Sequence, residues 1–334
     1  MLSKKENFLR LARKQETDSI PLYSLYWGLM SPSIYNEGMG PDRVGTDYFG
    51  VEWYKGDNPT GASLPKPGSF VLHDITKWRD VIKVPDFTSN VDWDVMAKEF
   101  LDGWNPENPL GGMLGPTVGF FQSLMAFMGF DEGLMACYEE PEEVKALMEY
   151  LTDWSCEMVK LFITHYKPDF GFLCDDIAHE RNPFVSPELF DELFAPAWSR
   201  YYATWLEADL PVGMHNCGFF EPLLQGLIDT GCTFWDPVQS SNDVSRIKAE
   251  HGNSIALCMS PETRFLKEED ITEESVRAEF RAWLDVVAPS GGFAFSEGLA
   301  NPPAEPRPGQ SELMFKRSVW IADEFNQRRV GYYQ

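Results

Sequence analysis

The strongest constraint on the fold is a regular alternation of strand-like and helix-like segments, which starts near residue 106 and continues along the chain. Short apolar runs such as "GFLC", "VGMH", "ALCM" and "FAFS" are each followed by a longer amphipathic segment. Connections of this length join neighbouring parallel strands through helices. Five consecutive units of this kind in about the last half of the chain predict an α/β fold, and favour a (β/α)8 TIM barrel over an open sheet.

The first hundred or so residues are less regular, being rich in aromatic residues, proline and glycine. They predict an irregular N-terminal cap with short strands and helices. A length of 334 residues suits one barrel. We therefore predict a single TIM-barrel domain over residues 1–334, with the cap and first elements in about residues 1–105 and the main βα units in about 106–334.

Composition narrows the partners and the compartment. The net charge of −24 predicts a surface that repels nucleic acid. No stretch is long and apolar enough to span a bilayer, so no membrane partner is expected. The first residues lack the apolar core of a secretory signal, which predicts a cytoplasmic protein. In that compartment the six cysteines do not indicate a disulfide framework.

The segment "LPVGMHNC" ends an apolar, strand-like run with His215 and Cys217. Residues two apart on a strand point to the same side, so the imidazole and the thiol can converge on one object. A metal ion is the object that such a pair most often binds. The alternative is a buried histidine bonded to the backbone beside an inert thiol.

Other polar residues lie where the remaining strands are predicted to end, which is where barrel enzymes place their active sites. Asp175 and Asp176 are adjacent, so they should point to opposite sides and only one need face the barrel mouth. So many polar groups beside a core are unusual unless they are used. The predicted strand ends carry Cys174, Asp175, Asp176, Asp236, Gln239, Cys258, Ser296 and Glu297.

Five stretches spread along the chain are informative when taken together: "DYFGVEW", "HDITKWRDVIKVPD", "CDDIAHERNPFVSPELFDELFAPAW", "GMHNCGFFEPLLQGLIDTGCTFWDPVQ" and "PSGGFAFSEG". With them, the sequence resembles the uroporphyrinogen decarboxylase superfamily and, within it, the corrinoid-dependent methyltransferases. The resemblance implies a distorted TIM barrel with the site in its mouth. The arginine-rich motif with which the decarboxylase grips its tetrapyrrole is missing, and that region reads "IPLYSLYWGLMSPS" here.

For the methyltransferase branch, the resemblance implies zinc held by the His215–Cys217 pair and a third, later ligand. Thiol-methylating relatives take that ligand from a late Pro-Gly-Cys element, which here reads Ser296-Glu297-Gly298-Leu299. We therefore expect Cys258, Glu297 or both to complete the zinc site. The alternatives are a small core residue for Cys258 and a substrate-binding or supporting carboxylate for Glu297.

The remaining candidates concern the substrate. We expect Asp236, Glu297, Asp175 and Asp176 to include the catalytic carboxylates. The aromatic segments "PLYSLYWGLM" and "GFFQSLMAF" suit a flat, largely uncharged molecule. The expected substrate-binding residues are Tyr26, Trp27, Phe120, Phe121 and Gln239.

These features favour a methyltransferase that moves the methyl group of a phenyl methyl ether to the cob(I)alamin of a partner corrinoid protein. A carboxylate in place of a thiolate would make zinc a harder acid, better matched to an ether oxygen. Two alternatives stay open. One is methyl transfer from a methyl-corrinoid to a thiol or tetrahydrofolate, and the other is a barrel that binds without turnover.

Overall fold

The main sheet contains seven parallel strands in the part of the chain that the computed structural model describes, residues 2–24, 27, 31–40, 42–56, 62–261, 271–307 and 310–332. The strands are β1 (Leu22–Tyr23), β5 (Gly111–Gly112), β6 (Phe170–Cys174), β7 (Val212–His215), β8 (Phe234–Asp236), β9 (Ala256–Met259) and β10 (Phe293–Ser296). Their spatial order is β1-β10-β9-β8-β7-β6-β5. From β5 to β10, each strand therefore lies beside the strand that follows it in the sequence.

This sheet is strongly curled. The ring of Phe8, on helix α1 (Lys4–Ala12), lies 5.5 Å from Tyr23 on the edge strand β1 and 5.7 Å from Phe170 on β6, near the other edge. One side chain can touch both only if the sheet wraps around it. The α/β barrel-like fold is thus confirmed. The closed eight-stranded barrel is not, because β1 and β5 do not pair within the described residues.

Helices cover the outside of the sheet, and side-chain caps fix several of their first turns. Ser186 accepts from the backbone N–H of Leu189, and Thr272 forms a reciprocal capping box with Ser275. The helices after α1 are α2 (Trp78–Val81), α3 (Trp93–Leu101), α4 (Phe120–Met128), α5 (Phe130–Glu139), α6 (Pro141–Tyr166), α7 (Pro187–Leu193), α8 (Ala195–Leu206), α9 (Leu224–Asp229), α10 (Val244–His251), α11 (Glu273–Val287), α12 (Glu297–Ala300) and α13 (Glu312–Arg328).

The sequence predicts one helix from Ser186 to Ala208, but the structure divides it into α7 and α8. Pro196 lies in the first turn of α8. A proline has no N–H to continue the helical hydrogen bonds, and its ring clashes with the carbonyl four residues earlier. The break therefore falls just before it, at Phe194.

The predicted cap contains a second, antiparallel sheet of three strands, β2 (Gly45–Thr46), β3 (Glu52–Lys55) and β4 (Ser63–Pro65). Trp53 on β3 is buried and donates from its ring nitrogen to Asp47 at 2.8 Å. Within the described ranges, no helix is long and apolar enough to cross a bilayer. The boundaries of a single domain over residues 1–334 stay a prediction.

Candidate metal centre and its cavities

His215 and Cys217 lie on the same side of the chain at the end of β7, as their spacing predicts. His215 is the last residue of the strand and is paired with Cys174 of β6. Asn216, between them, is buried and donates from its side chain to the carbonyl of Asp175 at 2.6 Å. Because this amide is bound to the residue that follows β6, the residues on either side of Asn216 face the other way.

The third member of the group is Asp176, whose Oδ1 accepts from the backbone N–H of Cys217 at 2.7 Å. One ligand atom from each of Asp176, His215 and Cys217 lies within 4.8 Å of the other two. We call these residues the three-donor cluster. Among the described residues it is the one group of three or more His, Cys, Asp or Glu side chains that could hold a metal ion, and Cys258 and Glu297 lie outside it.

The geometry of the cluster fits zinc. His215 Nε2 and Cys217 Sγ are 3.6 Å apart. A tetrahedral zinc, with bonds of about 2.0 Å to nitrogen and 2.3 Å to sulfur, separates two such ligands by about 3.5 Å. Imidazole, thiolate and carboxylate are the three donor types that zinc accepts. The pair therefore needs little movement to bind one ion.

Asp236, at the end of β8, orients the imidazole. Its Oδ2 lies 3.1 Å from His215 Nδ1, and because a carboxylate only accepts, Nδ1 carries the proton. Nε2 is then left to face Cys217 and a metal. Burial lowers the pKa of His215, but the hydrogen bonds with Asp236 and Cys217 outweigh it and raise the pKa well above its usual range.

Tyr23, on β1, lies close to Asp236. The ring is buried, and burial together with the charge of Asp236 raises the pKa of its phenol well above the usual value. Tyr23 therefore stays neutral beside Asp236 at physiological pH. A neutral phenol adds no charge to a region that already contains two carboxylates, Asp176 and Asp236.

Asp175 points away from the cluster and binds the start of α4. Its carboxylate accepts from the backbone N–H groups of Phe120, Phe121 and Gln122 at 2.9–3.0 Å and from the ring of Trp198 at 3.0 Å. Burial raises its pKa to about 7, and these hydrogen bonds oppose the rise. Only one of the two adjacent aspartates faces the cluster, as predicted. A catalytic role for Asp175 stays a prediction, and its contacts favour a structural one.

Gly119 makes this cap possible. Its φ is +95°, a region that favours glycine, and a Cβ there would lie 2.4 Å from the carbonyl oxygen of Cys174. The missing side chain lets the start of α4 approach β6 closely enough for Asp175 to reach three N–H groups. The same contact fixes the position of Phe121, which lines a cavity described below.

The other two predicted zinc ligands have different surroundings. Cys258, inside β9, is fully buried, and burial raises the pKa of its thiol well above the usual value. Glu297 forms an ion pair with Lys4 of α1 at 2.6 Å and accepts from the ring nitrogen of Trp27. Their roles as ligands stay predictions, and the geometry favours Asp176 as the third donor.

The predicted substrate residues are dispersed. Trp27 is buried against Phe8 in the core, and Phe120 is buried against Tyr201. Gln239 accepts from the backbone N–H of Gly218 at 2.6 Å and so holds the loop after Cys217. Of the four that the structure describes, Phe121 lines the apolar cavity described below, and Tyr26 lies outside the described residues.

Two cavities flank the three-donor cluster. The first, which we call the apolar cavity, has a volume of about 500 Å³ and is lined by Asp176 and Cys217 at one end. Its walls come from β3, β4, α4, α5 and the segment after β6. The aromatic rings on these walls belong to Trp53, Tyr54, Phe70, Phe121, Phe130 and Phe184.

The second, the strand-end cavity, has a volume of about 460 Å³ and is lined by His215 and Asp236. It lies at the carboxyl ends of five strands, which contribute Tyr23, His215, Asp236, Met259 and Ser296 to its wall. Asp176 and Cys217 of the cluster thus line the apolar cavity, and His215 of the cluster lines the strand-end cavity. Both volumes are in the range that small-molecule sites occupy, about 300–1,000 Å³.

Sequence reasoning missed most of the apolar cavity. Trp53, Phe130 and Phe184 lie far apart in the chain, and no spacing rule connects them. Asp176 was expected as a catalytic residue and not as a ligand. A signal for it existed, because parallel register places the residue two after Cys174 opposite the residue two after His215.

Comparison with known proteins supports the family resemblance. The sequence profile of the uroporphyrinogen decarboxylase (URO-D) family matches residues 60–308. No curated protein sequence matches the chain. A solved methyltransferase from Methanosarcina mazei has a similar fold, with a TM-score of 0.62 and 13% identity over 98% of this chain and 100% of that one. An endo-beta-1,4-mannanase from Thermotoga petrophila aligns over 77% of this chain and 69% of its own at 12% identity, but its TM-score of 0.25 carries no argument.

Proposed function

This chain belongs to the uroporphyrinogen decarboxylase family, and we propose that it is a zinc-dependent methyltransferase that demethylates phenyl methyl ethers. The methyl group would pass to the cob(I)alamin of a partner corrinoid protein. The transfer breaks the O–CH₃ bond, forms a bond from the methyl carbon to cobalt, and releases a phenoxide. A methyltransferase among the proteins that share this fold supports the class of reaction.

The observation that carries the proposal is the position of the three-donor cluster between two cavities. Asp176 and Cys217 line the apolar cavity, whereas His215 lines the strand-end cavity. A transfer between two molecules needs a donor and an acceptor on either side of one reactive centre. Zinc bound by the cluster would supply a Lewis acid for the ether oxygen.

The residues of this chain would have distinct tasks in that reaction. Asp236 keeps the proton on His215 Nδ1 and so fixes the ring that holds the metal. The aromatic walls of the apolar cavity bind the ring of the ether and exclude water. Asp236, Glu297, Asp175 and Asp176 stay candidates for stabilising the phenoxide. Asp176 is the one that accepts a hydrogen bond from the backbone N–H of Cys217.

A decarboxylase reaction on a tetrapyrrole has less support. Such a substrate carries many carboxylates, which require basic partners. Arg307 is the one Lys or Arg side chain among the described residues that line either cavity. The carboxylates of Asp176 and Asp236, one on each cavity, would repel the carboxylates of such a substrate.

The test is substrate-dependent methylation of cob(I)alamin, followed anaerobically by its absorption spectrum, with methoxybenzene as the methyl donor. We expect methylation by the zinc-loaded protein and about a hundredfold or greater loss in Cys217→Ser. Cys156→Ser is the matched control, because Cys156 lies on α6 outside both cavities. Methylation of a thiol from methylcobalamin, with no activity on ethers, would replace this proposal by the alternative direction of transfer.

A further inference from the structure

The apolar cavity combines many aromatic side chains with an absence of positive charge. Phe121 and Phe184 are nearly parallel, at an interplanar angle of 8° and 5.9 Å between ring centres, and Phe130 meets Phe184 edge to face at 4.7 Å. None of the described residues that line this cavity is Lys, Arg or His. Its ionisable residues besides Tyr54 are Asp176 and Cys217, both at the cluster end.

Two lysines at the small sheet are paired with acidic side chains. Lys66 Nζ lies 2.5 Å from Glu52, and Lys55 lies 4.0 Å from Asp42. Neither lysine lines the cavity. The other polar side chains that line the cavity are neutral, namely those of Tyr54, Ser63 and Gln122.

From these observations we infer that the apolar cavity selects uncharged methoxyarenes and rejects methoxybenzoates, a specificity that rests on the proposed function and narrows it. A ring carboxylate inside the cavity would lose its water without gaining a cation. Burying a polar group without a partner is unfavourable in proteins, and burying a charged group without one is more so. Affinity for the benzoate should therefore be about 10- to 100-fold lower than for a neutral ether of the same size.

Three probes separate charge from size. Methoxybenzene is neutral and small, methyl 4-methoxybenzoate is neutral and large, and 4-methoxybenzoate is charged and nearly as large as its ester. Binding is measured by calorimetry with the zinc-loaded full chain and no corrinoid, so that no turnover occurs. We expect both neutral ethers to bind and the benzoate to bind about 10- to 100-fold more weakly than its ester.

A charge placed on the cavity wall tests the location. Gln122 is the third residue of α4, half-buried and on the wall of the cavity. Gln122→Lys should raise the affinity for the benzoate relative to its ester by about tenfold, because the carboxylate gains a cation. The matched control is Gln225→Lys, on the exposed side of α9, which should leave that ratio unchanged.

The outcomes distinguish this inference from the function on which it rests. Equal or tighter binding of the benzoate than of its ester overturns the charge selectivity, even if ethers methylate cob(I)alamin. Tighter binding of the similarly sized cation phenyltrimethylammonium than of methoxybenzene would also overturn it, because the cavity would then select cations through its rings. Failure of every ether to methylate cob(I)alamin would refute the proposed function, whatever the binding pattern.

Discussion

Replacing Asp236 with alanine should weaken zinc binding by about 10- to 100-fold, which corresponds to about 1.4–2.7 kcal/mol. The structure gives the reason. Asp236 is 8% exposed, and its one contact with His215 is the 3.1 Å hydrogen bond to Nδ1. A hydrogen bond to a charged group contributes about 1.5–3 kcal/mol, in agreement with that range. Without the carboxylate, the imidazole can turn or carry its proton on Nε2, and either change removes a ligand from the cluster.

Asp236→Asn refines this prediction. The amide oxygen can still accept from Nδ1, so the loss should stay below about tenfold. Zinc affinity is measured by competition with a chromogenic chelator, and thermal melting checks that each variant is folded. Asp229→Ala is the matched control, because Asp229 is exposed at the end of α9. If Asp236→Ala binds zinc as tightly as the unmodified chain, His215 does not depend on Asp236 and the assignment of its Nε2 to the metal fails.

Three further changes test the neighbouring assignments. Cys217→Ser should reduce zinc from about one ion per chain to almost none without unfolding the protein, because a catalytic metal does not hold so large a core together; elemental analysis and circular dichroism decide this, and a full zinc content would remove Cys217 from the cluster. Asp175→Ala should lower the free energy of unfolding by about 3 kcal/mol or more, since three buried donors and one half-buried donor lose their acceptor, and unchanged urea midpoints would contradict this. Glu297→Gln should retain its zinc, and its free energy of unfolding should fall by at most about 1 kcal/mol, because the ion pair with Lys4 that it loses is partly exposed. Loss of the metal in this variant would instead support Glu297 as a ligand.

The second half of the fold could be predicted because its signals are local. Strands β6 to β10 are apolar runs of three to five residues, and each is followed by a helix with its own start and stop residues. The edges of the sheet gave no such signal. Strand β5 is only Gly111–Gly112, and a Cβ on Gly112 would lie 2.4 Å from the ring of Phe162. The bulky side chains around this strand leave space only for residues without a side chain, and composition alone cannot indicate this.

The part of the candidate site that lies at the end of a single strand could be predicted from the sequence. His215 and Cys217 are on one strand, so their common direction follows from the two-residue period. The third donor depends on how β6 and β7 are aligned, since Cys174 pairs with His215 and places Asp176 next to Cys217. Without that register, the sequence analysis predicted Cys258 and Glu297, at the ends of other strands, as the further ligands. The apolar cavity was beyond sequence reasoning because a separate small sheet supplies part of its wall.

The pairing of β1 with β10 sets a late step in the assembly of this protein. Leu22 pairs with Phe295, so almost the whole chain lies between two adjacent strands. Contacts between such distant residues form slowly, because the closure of a long loop must precede any gain from them. Until β10 is made, α1 lacks the partner that Glu297 offers to Lys4, and β1 is an unprotected edge. During synthesis on the ribosome, β1 therefore cannot pair until β10 has been made. Chaperones that shield apolar surface would have their greatest effect in that interval.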